Sequence, residues 1–258
     1  MAGSALSWLY RLYDKRIANE LIPDERVPKH IGVITDGNRR WAKEFGTTTE
    51  NGHRAGADKI VEFLGWCGEV GVEVVTLYVL SRENLARSAA EVEVLTEIIA
   101  DMVDTIADTA GYCVNLVGEL GLLPEPLRLR LVSAEQRSGA APGDRVRVNV
   151  AVGYGGRQEI VDALRSWLRA TRDSGADVDA AIEGLDEEQI SAHLYTKGQP
   201  DPDLIIRTSG EQRLSGFMMW QSAYSEFYFC EAYWPDFRKT DFLRALRNFS
   251  QRSRRFGR

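Results

Sequence analysis

Ile31-Gly-Val-Ile-Thr-Asp-Gly-Asn-Arg-Arg-Trp-Ala-Lys43 passes from a short apolar run to an acid, a glycine and three cations within eight residues. Such a change reads as a buried strand that ends in a polar turn and opens a helix. Gly37 and Asn38 suit a tight turn with positive φ, and the free N–H groups of the helix start favour an anion. Asp36 is placed to hold a cation beside that anion.

Outward from this stretch, apolar runs of strand length recur at residues 31–34, 74–80, 113–117, 146–152, 204–206 and 227–230. Most are continuously apolar, the pattern of strands buried on both faces. Helical patterning separates them at residues 55–70, 89–109, 127–136, 157–170 and 187–194. The alternation predicts an α/β fold: a single domain with a central, mostly parallel sheet of about six strands flanked by helices.

In open sheets of this kind ligands bind beyond the carboxyl ends of the strands, so the residues following each run are the candidates. Asp36, Asn38, Arg39 and Arg40 follow the first run, and Ser81, Arg82, Glu83, Asn84, Leu85 and Arg87 the second. Gly153-Tyr-Gly-Gly-Arg157 follows the fourth and Arg207-Thr-Ser-Gly-Glu-Gln-Arg213 the fifth. Four loops at one sheet edge then carry mostly cations, amides and hydroxyls.

The 258 residues carry a formal net charge of −6, which argues against a general nucleic-acid binder, since its cations are clustered rather than in excess. Cys67, Cys113 and Cys230 lie far apart without a CxxC pair, and the three histidines are scattered, which disfavours zinc. Sparse thiols, no signal-peptide core and no long apolar run predict a cytoplasmic protein. Residues 1–29 read as an amphipathic helix and lead-in, with Leu6, Leu9, Tyr13 and Ile17 on one face. That face fits packing on its own domain or peripheral contact with a membrane surface.

Arg39, Arg40, Arg87, Arg157, Arg207 and Arg213 exceed what one monoanion needs, and suit one diphosphate or two. At an effective dielectric near 20, each cation about 4 Å from a phosphate oxygen is worth roughly 4 kcal/mol before desolvation. Any one of them also fits an ordinary surface ion pair. Asp36 fits a helix-capping acid or a magnesium ligand, since magnesium takes few carboxylates plus phosphate oxygens. Glu226, just before the last strand, is a second carboxylate for such a site. The sequence has no GxxxxGK[ST] loop, no GxSxG elbow and no DDxxD segment. Leu95, Ile98 and Ile99 suit a cavity wall and core packing equally.

Asp36-Gly-Asn-Arg-Arg-Trp-Ala42, Gly52-His-Arg-Ala-Gly56, Leu77-Tyr-Val-Leu-Ser-Arg-Glu-Asn84, Gly153-Tyr-Gly-Gly-Arg157 and Asp203-Leu-Ile-Ile-Arg-Thr-Ser-Gly-Glu-Gln-Arg213 together resemble the cis-prenyltransferases, the undecaprenyl diphosphate synthase family. Trp220-Gln-Ser-Ala-Tyr-Ser-Glu226 and Trp234-Pro-Asp-Phe237 extend the match, which covers residues 30–258. The resemblance implies a hydrophobic tunnel, a homodimer, Mg2+ as cofactor, and condensation of isopentenyl diphosphate with an allylic diphosphate to leave a Z double bond. It implies Asp36 as the metal-linked catalytic residue, with Gly37, Asn38, Arg39, Arg40, Trp41, His53 and Arg87 around the allylic diphosphate. Arg207, Arg213 and Ser215 match the isopentenyl diphosphate site and Glu226 its metal-associated carboxylate; Ser81 and Asn84 lie between the two substrates, and the resemblance implies Asn84 as a second catalytic residue, with Ser81, Arg82, Glu83 and Leu85 as substrate-binding. Arg255-Phe-Gly257 looks like the family's C-terminal RxG segment, which reaches the partner's active site.

Departures from the family pattern shape the expected product. Arg39 stands where many members have glycine, Thr49 where many have arginine, and Gln212 where many have histidine; Arg39 is a replacement for the charge missing at Thr49. The 78–85 segment resembles short-chain members that make (Z,E)-farnesyl diphosphate, and Val79 narrows the tunnel. Three alternatives stay open: a medium- or long-chain polyprenyl diphosphate synthase, a branching lavandulyl-type synthase, and a non-catalytic partner subunit. Removing Asp36 is expected to abolish turnover while leaving the fold intact, as for an acid on a surface loop.

Overall fold

The computed structural model describes residues 27–139 and 145–252. The proposed N-terminal amphipathic helix and the RxG segment lie outside the described residues. Six strands, β1 (His30–Ile34), β2 (Val74–Ser81), β3 (Tyr112–Val117), β4 (Val146–Tyr154), β5 (Leu204–Arg207) and β6 (Glu226–Phe229), form one sheet in the order β3-β4-β2-β1-β5-β6. Every neighbouring pair is parallel. β1 and β5 are wholly buried, as their unbroken apolar runs require.

The helices are α1 (Asn38–Glu44), α2 (Thr49–Glu69), α3 (Ala89–Asp108), α4 (Glu125–Ser138), α5 (Gly156–Asp173), α6 (Val178–Glu183), α7 (Glu187–Ser191) and α8 (Lys239–Gln251). Sequence patterning anticipates all except α6 and α8. Thr48 starts α2 by accepting from the Asn51 N–H, and Ser88 starts α3 by accepting from the Glu91 N–H. α8 buries Phe242, Leu243 and Leu246, an amphipathic spacing masked in the sequence by the polar residues between them.

The connections decide where a ligand can enter. From β1 the chain crosses to β2 on one side, whereas from β5 it crosses to β6 on the other. Adjacent strands whose crossovers diverge leave a crevice beyond their carboxyl ends. Here that crevice lies between the ends of β1 and β5, where Asp36 and Arg207 stand.

A cluster of Phe63, Trp66, Trp234, Phe237 and Phe242 packs edge-on and stacked beneath this edge, with Phe63 and Phe242 ring centroids 5.2 Å apart. The cluster ties directly to the loop after β1. Trp234 donates its backbone N–H to the Asp36 carbonyl at 3.0 Å and its indole N–H to the Gly56 carbonyl at 2.8 Å. The Trp234-Pro-Asp-Phe237 motif is thus a core anchor for the site loop.

Candidate active site

Gly37 makes the turn after β1 with a φ of 110°, and a Cβ there would lie 2.8 Å from the Tyr233 ring. Glycine alone fits both demands. Gly56 on α2 lets Asn38 pack closely, since a Cβ would lie 2.6 Å from its amide. The second approach draws α1 and α2 together, and Gly37, Asn38 and Gly56 all line one cavity.

That cavity has a volume of about 620 Å³. Its mouth holds Asp36, Gly37, Asn38, Arg39, Arg40, Lys43, His53, Arg87, Glu211 and Arg213; its depth is apolar, with Ile60, Val79, Leu95, Ile98, Ile99 and Met102. Leu95, Ile98 and Ile99 of α3 thus line the cavity while also buried in the core, and Val79 of β2 shares the lining. Thr49 does not line the cavity, whereas Arg39 does.

Asp36 is the hub of the mouth. Its carboxylate accepts from Arg207 Nη2 at 2.8 Å and pairs with Arg40 Nη2 at 3.2 Å. Burial alone would push its pKa up, but the Arg207 hydrogen bond and the charges of Arg40 and Arg207 hold it below the ordinary carboxylate value. Arg207 is 3% exposed; it donates to Ser215 Oγ at 2.9 Å and to the Arg213 carbonyl. Arg40 also donates to Ser209 at 2.7 Å, pairs with Glu211 at 3.2 Å and stacks 5.7 Å over the Tyr233 ring. Ser209 adopts a φ of 75°, a strained conformation that fits a functional loop.

Asp36 is therefore not an isolated surface-loop acid. It neutralises a buried guanidinium, so its removal carries a stability cost that the sequence alone does not reveal. Thr208 adds to the same junction, accepting from the Asp36 N–H at 3.1 Å and donating to the Asp36 carbonyl at 2.7 Å.

His53 lies on α2, 8% exposed, and its Nε2 is buried without a hydrogen-bond partner among the described residues. Burial first, then the nearby Arg87 charge, lowers its pKa to about 4. The imidazole is neutral at pH 7. Arg87 donates to Glu91 at 3.1 Å, and Arg39 pairs with the same carboxylate at 3.7 Å.

The remaining sequence candidates divide. Ser81 and Asn84 exchange hydrogen bonds at 3.2 Å and fix the turn after β2. Arg82, Glu83 and Ser215 line a second, polar hollow with Gly155, Gly156 and Arg157, and Leu85 lines a separate groove on the far side of α3. Trp41 does not line the cavity; one helical turn along, it packs against Phe45 with ring centroids 4.9 Å apart and a tilt of 35°. Glu226 is not brought to the cluster within the chain. It pairs in register with Leu204 at the start of β5, about 10 Å of strand before Arg207, and forms an ion pair with Arg252 at 2.5 Å. Being first in a parallel strand, it falls at the sheet edge opposite Asp36.

Sequence reading assigns no role to Ser209, Glu211, Tyr233 or Glu91, all of which hold site arginines. The only local signal was the spacing of Arg87 and Glu91, one helical turn apart.

Asp36, with Glu211 as a second carboxylate among the cations of the mouth, fits magnesium, which takes few carboxylates and completes its shell with phosphate oxygens and water. Among the described residues no group of three or more His, Cys, Asp or Glu side chains forms a closed protein site for a metal. The donor set thus suits a metal brought in with a diphosphate.

The family model described as "Putative undecaprenyl diphosphate synthase" matches residues 34–257. The chain is 55% identical to isoprenyl transferase 1 of Corynebacterium efficiens, over 96% of this chain and 97% of the relative. It is 55% identical to the (2Z,6E)-farnesyl diphosphate synthase of Thermobifida fusca, again over 96% and 97%. The structure of lavandulyl diphosphate synthase from Lavandula x intermedia, with dimethylallyl diphosphate, superposes with a TM-score of 0.84 at 36% identity, covering 91% of this chain and all of that one.

Proposed function

The chain belongs to the undecaprenyl diphosphate synthase family, and from that premise we propose that it condenses isopentenyl diphosphate with geranyl diphosphate to form (Z,E)-farnesyl diphosphate. One observation carries the reading: a cavity with cations at its mouth and an apolar part lined by Val79, Ile98, Ile99 and Met102. A polar head of high negative charge and a short hydrocarbon tail fit such a space.

In this reading Arg39, Arg40, Arg87 and His53 hold the allylic diphosphate, with Arg39 supplying the charge that Thr49 lacks. Arg207, Arg213 and Ser215 hold the diphosphate of isopentenyl diphosphate. Asp36 would hold Mg2+, which supplies charge neutralisation for the departing diphosphate. The allylic C–O bond breaks, the isopentenyl double bond attacks the allylic carbon, and loss of a proton leaves the Z double bond. Gathered cations lower the barrier because negative charge grows on the leaving diphosphate.

The edge strand β6 and its approach leave Tyr224 77% exposed and Phe229 38% exposed, which supports a homodimer through this edge. All three cysteines are free and buried, which suits a reducing, cytoplasmic setting. No helix among the described residues is long and apolar enough to cross a membrane.

Incubation with isopentenyl diphosphate and, in turn, dimethylallyl, geranyl or farnesyl diphosphate tests the reading, with products sized after phosphatase treatment. The expected result is (Z,E)-farnesol from geranyl diphosphate, lost with EDTA and restored by Mg2+. Branched products point to a lavandulyl-type reaction, long chains to a polyprenyl synthase, and absence of turnover to a partner subunit; each overturns the proposal.

A further inference from the structure

Glu91 has no role in the reaction as drawn above, yet it holds two of the cations that do. Its Oε1 accepts from Arg87 Nη1 at 3.1 Å and stands 3.7 Å from Arg39 Nη1. One carboxylate oxygen is shared by two guanidiniums. Its backbone is fixed, because the Glu91 N–H donates to the capping Ser88 hydroxyl at 3.4 Å in the first turn of α3.

The direction of the contact matters. Arg39 and Arg87 line the cavity and Glu91 does not; the Arg39 side chain is 55% exposed, so of the two guanidiniums Arg87 is held the more closely. The Arg87 and Glu91 side chains are 20% and 25% exposed, so water screens the pair only in part. With His53 neutral, the group carries two positive charges and one negative.

We propose that Glu91 is a positioning residue that sets the strength of the allylic diphosphate grip: it aims Arg39 and Arg87 into the cavity and cancels one of their two charges. The inference rests on the reading of the cavity mouth as a diphosphate site. Its value to turnover follows from the product, which carries the same diphosphate as the allylic substrate. Affinity gained equally by both lowers KM and slows release without speeding the chemical step.

Calorimetric titration of inorganic diphosphate into the wild-type chain, Glu91→Gln and Glu91→Ala tests this. Glutamine keeps the acceptor oxygen and suits the third position of a capped helix as well as glutamate does, so only the charge changes. Glu91→Gln is expected to bind diphosphate about three- to tenfold more tightly than wild type, the scale of one partly screened ion pair. Its kcat and its KM for the allylic diphosphate should fall together. Glu91→Ala, which also frees the arginines, should bind more weakly than Glu91→Gln. A Glu91→Gln variant that binds no more tightly than wild type overturns the charge argument, and equal affinities of the two variants overturn the positioning role. If wild type itself fails to bind diphosphate, the reading of the cavity is what fails.

Discussion

Val79→Ala asks whether the depth of the cavity sets product length. Val79 sits where β2 slips against β4: Tyr78 pairs with Ala151 and Leu80 with Val152, which leaves Val79 at a register shift. Its side chain faces the same space as Leu95, Ile98, Ile99 and Met102 of α3, and it also packs against the core. Alanine removes two methyl groups from that wall. Forcing another isoprene unit against a close-packed wall costs about 1–3 kcal/mol. That is a factor of roughly 5 to 150 in the rate of the next condensation. With the wall relieved, geranyl and isopentenyl diphosphates should yield a measurable fraction of product one isoprene unit longer than the wild-type product. The same truncation should lower stability by about 1–2 kcal/mol, since the deleted groups are only partly buried. Mass spectrometry of dephosphorylated products at matched turnover reads the first effect, and the urea midpoint the second. A lowered midpoint with an unchanged product spectrum would refute the reasoning, because Val79 would then serve strand packing alone.

Three further outcomes follow from the site. Asp36→Ala should abolish turnover and cost about 2–3 kcal/mol, because Arg207 would remain buried with only Ser215 and a carbonyl as partners; an unchanged urea midpoint would contradict this. His30 and His53 both titrate near 4, below their ordinary value of 6.5, chiefly through burial. The unfolded chain therefore binds more protons across that window, so stability is full above pH 6.5 and falls as pH drops toward 4. Urea midpoints measured from pH 7 to pH 4.5 should show the decline, and a His53 ring that titrates near 6.5 in the ligand-free protein by NMR would remove its share. Gly37→Ala should cost about 1–3 kcal/mol and most of the activity, since its Cβ meets the Tyr233 ring that supports Arg40. Gly46→Ala also has positive φ but nothing within 4 Å, so it controls for backbone strain alone.

Much of the architecture was legible in local pattern. All six apolar runs became strands, because double burial in a parallel sheet leaves a continuous apolar signature. The helices that open on Thr48 and Ser88 carry their start signals in the sequence. The C-terminal helix is less legible, because polar residues interrupt the spacing of Phe242, Leu243 and Leu246 on its buried face. Glu226 has the placement least legible in the sequence. It stands near the last apolar run in sequence, but lies at the opening residue of its strand, and one strand length separates the two edges of a sheet.

The sequence by itself determined that a polar, cation-rich edge would follow buried parallel strands, and that Asp36 and Gly37 would stand at its first turn. Periodicity and turn chemistry act between residues a few positions apart, so a linear reading captures them. Tertiary structure alone decided which cations remain available to a ligand. Asp36 meets Arg207, and Arg40 meets Glu211, across 171 residues of chain in each case. Such pairings depend on strand order and on the crevice that opens between β1 and β5, which no local spacing encodes. Only the folded chain shows that Arg39 and Arg87 line the cavity and share the Glu91 carboxylate.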